Sequence, residues 1–136
     1  YDLDAEKNEL LDIELIHSLK TAKLIQVALT MPYLGNEMYK KTQVLLSNLG
    51  GKIGLAFQIM DDVLEVSSDS VTLGKSNLSD ITNKKMTYVS VYGLEASIQK
   101  AEALSHFCIE QIQENFEVEK TRELIELMHL MVSRSN

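Results

Sequence analysis

Asp61, Asp62 and Glu65 stand inside one of the most apolar runs of the chain, Phe57-Gln58-Ile59-Met60-Asp61-Asp62-Val63-Leu64-Glu65-Val66. An ionised carboxylate in apolar surroundings is costly unless a cation or hydrogen bonds compensate it. No lysine or arginine lies between Lys52 and Lys75, so the run itself offers no salt bridge. On a helix, positions i, i+3, i+4 and i+7 share a face. Gln58, Asp61, Asp62 and Glu65 have that spacing. Hard oxygen donors with no histidine or cysteine beside them suit Mg²⁺, which is typically held by one or two carboxylates together with substrate phosphates. A merely solvated acidic face is the plain alternative. The apolar flanks favour a site, and the acidic face is expected to line a cavity among buried helices.

Lysines supply the complementary charge. Lys20 lies four residues after Ile16 and four before Leu24, on or beside an apolar stripe, where such a side chain commonly snorkels outward. Lys75, Lys84 and Lys85 fall in a polar stretch where solvated charge is the ordinary expectation. Together with a carboxylate face suited to magnesium, these lysines describe a diphosphate site in a chain that is otherwise acidic. A competing pattern is Glu14-x-x-His17 with Glu126-x-x-His129, since paired E-x-x-H motifs occur in di-iron carboxylate bundles. That site needs two further glutamates, and Lys20 and Lys23 stand unfavourably close to His17. His106 and Cys108 form no nucleophile arrangement, which leaves each a core or surface role.

The whole chain bounds these readings. At 136 residues it suits one domain. Twenty acidic residues against 13 basic ones give a net charge of −7, which argues against nucleic acid as a partner. Cys108 is the lone cysteine, so there is no internal disulfide, and a reducing, cytoplasmic setting is expected. No apolar run reaches the roughly 18 residues of a membrane span, so no stable membrane insertion is expected. The chain opens Tyr1-Asp2-Leu3-Asp4 without methionine, and a fragment of something longer is expected.

The elements that would position these side chains are helical throughout, and the predicted class is all-α. Residues 1–8 read as a loop. Ile13, Ile16, Leu24 and Val27 predict a helix from about Glu9 to Met31, ended by Pro32. A second helix is predicted from Glu37 to about Val66, with a break, kink or close packing at Gly50-Gly51. Residues 67–86 are polar and aperiodic and predict a long loop. Helix resumes from about Thr87 to Phe116 through Leu104, Phe107 and Ile112. A last helix, about Lys120 to Val132, carries Leu124, Leu127, Met128 and Met131.

Several of these segments, in order and at matching spacing, resemble the trans-isoprenyl diphosphate synthases, the family of farnesyl, geranyl and geranylgeranyl diphosphate synthases. Ile16-His17-Ser18-Leu19-Lys20-Thr21 is similar to the family's H-x-x-K-T segment. Gly54 to Glu65 is similar to its second aspartate-rich motif, with Glu65 in place of the usual aspartate. Leu73-Gly74-Lys75, Asp80 and Lys85-Met86-Thr87-Tyr88 resemble its G-K-x(5)-D-x(4)-K-x-T-Y segment, with Val89 where proline usually follows. The resemblance implies a helical bundle of the isoprenoid synthase type, of which residues 1–136 are the C-terminal half. It implies Mg²⁺ on Asp61, Asp62 and Glu65. It assigns the allylic diphosphate to Lys20, Lys75 and Lys85, with Thr21 and Gln58 lining the pocket, and catalysis to Asp61, Asp62 and Lys20. It further implies condensation with isopentenyl diphosphate, a homodimer, and a missing N-terminal half carrying the first aspartate-rich motif. This chain alone is then expected to be inactive. A non-catalytic subunit or pseudo-enzyme of the same fold is the alternative, against which the retained Asp61, Asp62, Lys20 and Lys75 weigh.

Overall fold

The computed structural model describes residues 21–72 and 87–133. Among them there are helices and no strand. The helices are α1 (Lys23–Thr30), α2 (Lys40–Thr72), α3 (Tyr88–Tyr92), α4 (Leu94–Asn115) and α5 (Val118–Ser133). Short 3₁₀ turns, Met31–Tyr33 and Glu37–Tyr39, connect α1 to α2. Pro32 sits in the first of them and ends α1 as expected. Asn36 caps the second, its side chain accepting from the Met38 amide at 3.0 Å.

Helix α2 is the spine, and its sequence explains why. Leu46, Leu49, Ile53, Ala56, Met60 and Val63 recur at alternating steps of three and four, and all six are buried. Such a stripe runs nearly straight down a helix and presents one continuous apolar seam. Small side chains on α4, among them Ser97, Ala101 and Ser105, are buried opposite it and allow close approach. The core divides into two clusters along α2. One gathers Ile59, Met60 and Val63 with Tyr88, Ala101 and Met131. The other gathers Leu49 and Ile53 with Cys108, Ile109, Ile112 and Met128.

The glycine pair does not interrupt α2, which runs through it without a break. Of the three expected outcomes, close packing is the one realised. A Cβ on Gly50 would lie 2.8 Å from the Cα of Gln26, and one on Gly51 would lie 2.9 Å from its Nε2. Gln26 Nε2 donates to the Ser47 carbonyl at 2.9 Å, fixing α1 across this bare strip.

Other expectations need correction. Helix α2 continues to Thr72 rather than ending near Val66. Ser67 is accommodated by donating its hydroxyl to the Val63 carbonyl at 2.9 Å. The helix predicted from Thr87 to Phe116 is two helices, because Gly93 adopts φ +87° between them. Several apolar residues placed on core stripes face outward: Leu24, Val27, Phe107 and Leu127 are all exposed. Phe107 instead lies under Lys52, whose Nζ is 5.6 Å from the ring centroid. The predicted first helix up to residue 20, and the loop expected over residues 73–86, lie outside the described residues. None of the described helices is long and apolar enough to cross a membrane.

Candidate active site

The acidic turn lies in the C-terminal half of α2, against the cluster that contains Ile59, Met60 and Val63. These three interleave in sequence with Gln58, Asp61 and Asp62, of which only Asp61 is exposed. Gln58 is itself buried, and its Nε2 donates to Thr21 Oγ1 at 2.6 Å. One turn further on, Asp61 is exposed at the rim of a small hollow formed with Phe57, Met60, Leu64 and Met131. Glu65 is exposed another turn along. Asp62 is half-buried, and its Oδ2 accepts the backbone N–H of Tyr88 at 2.8 Å.

This arrangement corrects one expectation. Among the described residues the carboxylates do not line an enclosed cavity: Asp61 and Glu65 open outward and only Asp62 turns inward. Phe57 and Val66 on the same helix are partly exposed. No group of three or more histidine, cysteine, aspartate or glutamate side chains is gathered to hold a metal among the described residues.

Thr21 and Gln58 are therefore brought together, and Asp61, Asp62 and Glu65 follow on the same helix. Lys20, Lys75 and Lys85 lie outside the described residues, as do Glu14 and His17 of the first E-x-x-H pair. The second pair, Glu126 and His129, is exposed on α5. His129 lines a groove with Ser105 and His106 of α4, on a different surface from the acidic turn. His106 lies 3.2 Å from Glu110 Oε1. Cys108 is a core residue, fully buried, with its thiol pushed up to about 11 by burial and pulled back only in part by Lys52.

Sequence reasoning missed the tie between Asp62 and Tyr88. The only signal for it lay in Thr87-x-x-Ser90, a capping pattern that marks Tyr88 as the first residue of a helix.

Residues 1–128 match the polyprenyl synthetase family. Farnesyl diphosphate synthase of Escherichia coli is 41% identical over 106 residues, which is 76% of this chain and 36% of that protein. Farnesyl diphosphate synthase of Haemophilus influenzae is 33% identical over 116 residues, 82% of this chain and 39% of the relative. Geranylgeranyl pyrophosphate synthase 12, chloroplastic, of Arabidopsis thaliana is 33% identical over 137 residues, covering 100% of this chain and 36% of its own length. The chain thus spans 36–39% of the length of these relatives. With an all-α fold and a family match over nearly its whole length, the chain belongs to the polyprenyl synthetase family.

Proposed function

We propose that this chain forms the C-terminal part of a Mg²⁺-dependent prenyl diphosphate synthase, which condenses an allylic diphosphate with isopentenyl diphosphate. The observation that carries the reading is the 2.6 Å hydrogen bond from Gln58 to Thr21. It joins residues 37 positions apart and sets the residue that follows Lys20 beside the helix of Asp61. Thr21, the last residue of the segment that resembles the family's lysine motif, therefore meets the segment that resembles its aspartate motif near the middle of α2.

The donor set fits magnesium. Asp61 and Glu65 are exposed carboxylates one turn apart, with no soft ligand near them, and such a pair leaves room for water and phosphate oxygens. Bound there, the metal would neutralise charge developing on the departing diphosphate. The chain's own residues do the rest of the work proposed for this side of the site. Lys20, Lys75 and Lys85 hold the diphosphate oxygens, and Thr21 is kept in register by Gln58. Phe57, Met60 and Leu64 cover the adjoining surface with hydrocarbon and keep water from the cation formed when the allylic C–O bond breaks. The double bond of isopentenyl diphosphate then forms the new C–C bond, and loss of a proton restores neutrality. Holding that second substrate falls to a part of the protein outside this sequence, and the complete enzyme works as a homodimer in the cytoplasm.

The test uses the full-length protein with radiolabelled isopentenyl diphosphate and either dimethylallyl or geranyl diphosphate. Mg²⁺-dependent product is expected, with Asp61→Ala lowering kcat by orders of magnitude and leaving the melting temperature nearly intact. Activity of Asp61→Ala within about tenfold of the parent, roughly 1.4 kcal/mol, rules out the metal role. Absence of product from a folded full-length protein favours a non-catalytic subunit of the same fold.

A further inference from the structure

We infer that Asp62 is a positioning residue, whose carboxylate holds the start of α3 against α2 beside Asp61 rather than serving as a ligand to the metal. The inference rests on the synthase reading for its functional meaning, and on the Asp62–Tyr88 contact for its substance.

The first backbone N–H groups of a helix have no partner within it. At the start of α3 three of these groups have partners. The Ser90 amide donates to Thr87 Oγ1 at 3.1 Å, and the Thr87 amide donates to Ser90 Oγ at 2.9 Å. The Tyr88 amide donates to Asp62 Oδ2 at 2.8 Å. The first two bonds are local and would form wherever the segment lay. The third comes from a residue 26 positions away and is the one that sets the location of the segment. A carboxylate accepting a backbone amide makes a stronger bond than a neutral acceptor.

The Tyr88 side chain locks the same point from the other side. It is buried among Ala56, Ile59, Met60 and Val63, and its ring lies 4.4 Å from that of Tyr92. Backbone and side chain of one residue are thus both fixed to α2, within one residue of Asp61. Neighbouring carboxylates on α2 do not share this environment: Asp61 and Glu65 are exposed, and Asp62 is half-buried. The division of labour follows from that difference. Outward carboxylates meet ligand, and the inward one fixes the chain at Tyr88, three positions after Lys85.

The experiment compares Asp62→Asn, Asp62→Ala and Asp61→Asn in the full-length protein. Asparagine keeps an oxygen that accepts the Tyr88 amide but removes the charge a metal needs. Asp62→Asn should therefore be at least ten times more active than Asp62→Ala, with the Mg²⁺ concentration for half-maximal activity within about twofold of the parent. Asp61→Asn should require much more Mg²⁺. In Asp62→Ala, KM for the allylic diphosphate should rise more than kcat falls.

A second readout does not depend on turnover. Amide hydrogen exchange in residues 87–92 should quicken at least tenfold in Asp62→Ala and stay near the parent rate in Asp62→Asn. Equal loss of activity in both Asp62 variants, with a raised Mg²⁺ requirement, would overturn the inference. Unchanged exchange in Asp62→Ala would overturn it too. If Asp62→Ala does not fold, the Mg²⁺ requirement of Asp62→Asn against Asp61→Asn decides the question. If the full-length protein makes no product, the exchange result still decides whether Asp62 holds α3, separately from the synthase reading.

Discussion

Gly54 lies so close to Ala22 that a Cβ built on the glycine would overlap the Cα of the alanine. Backbone, unlike the tip of a flexible side chain, cannot swing aside. Gly54→Ala should therefore push α1 away from α2 and cost about 1–3 kcal/mol or more, seen as a lower urea midpoint. Gly93→Ala is the matched control. Nothing lies within 4 Å of its added Cβ, and the cost of about 1–3 kcal/mol comes from the backbone alone, whose φ +87° and ψ 162° suit essentially only glycine. Equal effects of the two on the packing of α1, followed by proteolysis near residue 22, would contradict this assignment.

The bond between Gln58 and Thr21 should be measurable as a coupling. Gln58→Leu keeps most of the buried volume and removes the donor. Each of Gln58→Leu and Thr21→Val should lower stability, and the double variant should lose less than the sum by about 0.5–1.5 kcal/mol. Strict additivity would mean that the contact contributes nothing, and with it would go the registration of the two motif-bearing segments.

Cys108 should be silent toward thiol reagents in the native protein at pH 7.5. Its side chain is fully buried, and the thiol is pushed up to about 11. The sign of the pH dependence follows from linkage. Below the ordinary thiol range, near pH 8.5, the group is neutral in both states and its contribution to stability is complete. Between there and pH 11 the unfolded chain releases its proton first, so stability falls, by at most about 1.4 kcal/mol per pH unit. Urea midpoints of the parent should decline more steeply from pH 9 to 10.5 than those of Cys108→Ala. Parallel curves would refute the shift.

The 136-residue chain by itself should yield no prenyl diphosphate, because it spans 36–39% of its relatives and the carboxylates proposed for Mg²⁺ all stand on α2. Leu24, Met31, Leu34, Met38 and Val44 leave apolar surface exposed around α1 and the start of α2. Sedimentation should accordingly show concentration-dependent association of the isolated chain. Product formation by a monodisperse sample would sink both halves of this expectation.

Much of the spine could be read directly from residue spacing. The steps of three and four from Leu46 to Val63 describe a seam on one helix whatever covers it, and all of its members are buried. What spacing cannot supply is the identity of the cover. Leu24, Val27 and Leu127 have the same periodicity as core residues, yet they are exposed. Gly93 was invisible for a related reason: a single glycine in a helical pattern costs about 1 kcal/mol, and only the turn of the backbone reveals that it is a joint. At the site, the shared face of Gln58, Asp61, Asp62 and Glu65 was legible from helix geometry. The inward turn of Asp62 was not, because its partner Tyr88 arrives through tertiary structure.

The division of the core into two clusters along α2 has a kinetic meaning. Side chains that pack together tend to come apart together, and separate clusters open as separate cooperative units. The unit around Leu49 and Met128 secures the N-terminal half of α2. The unit around Met60 and Tyr88 carries the acidic turn. Breathing motions at the acidic end can then proceed without melting the other, so amides in the two halves of α2 are expected to exchange as separate groups.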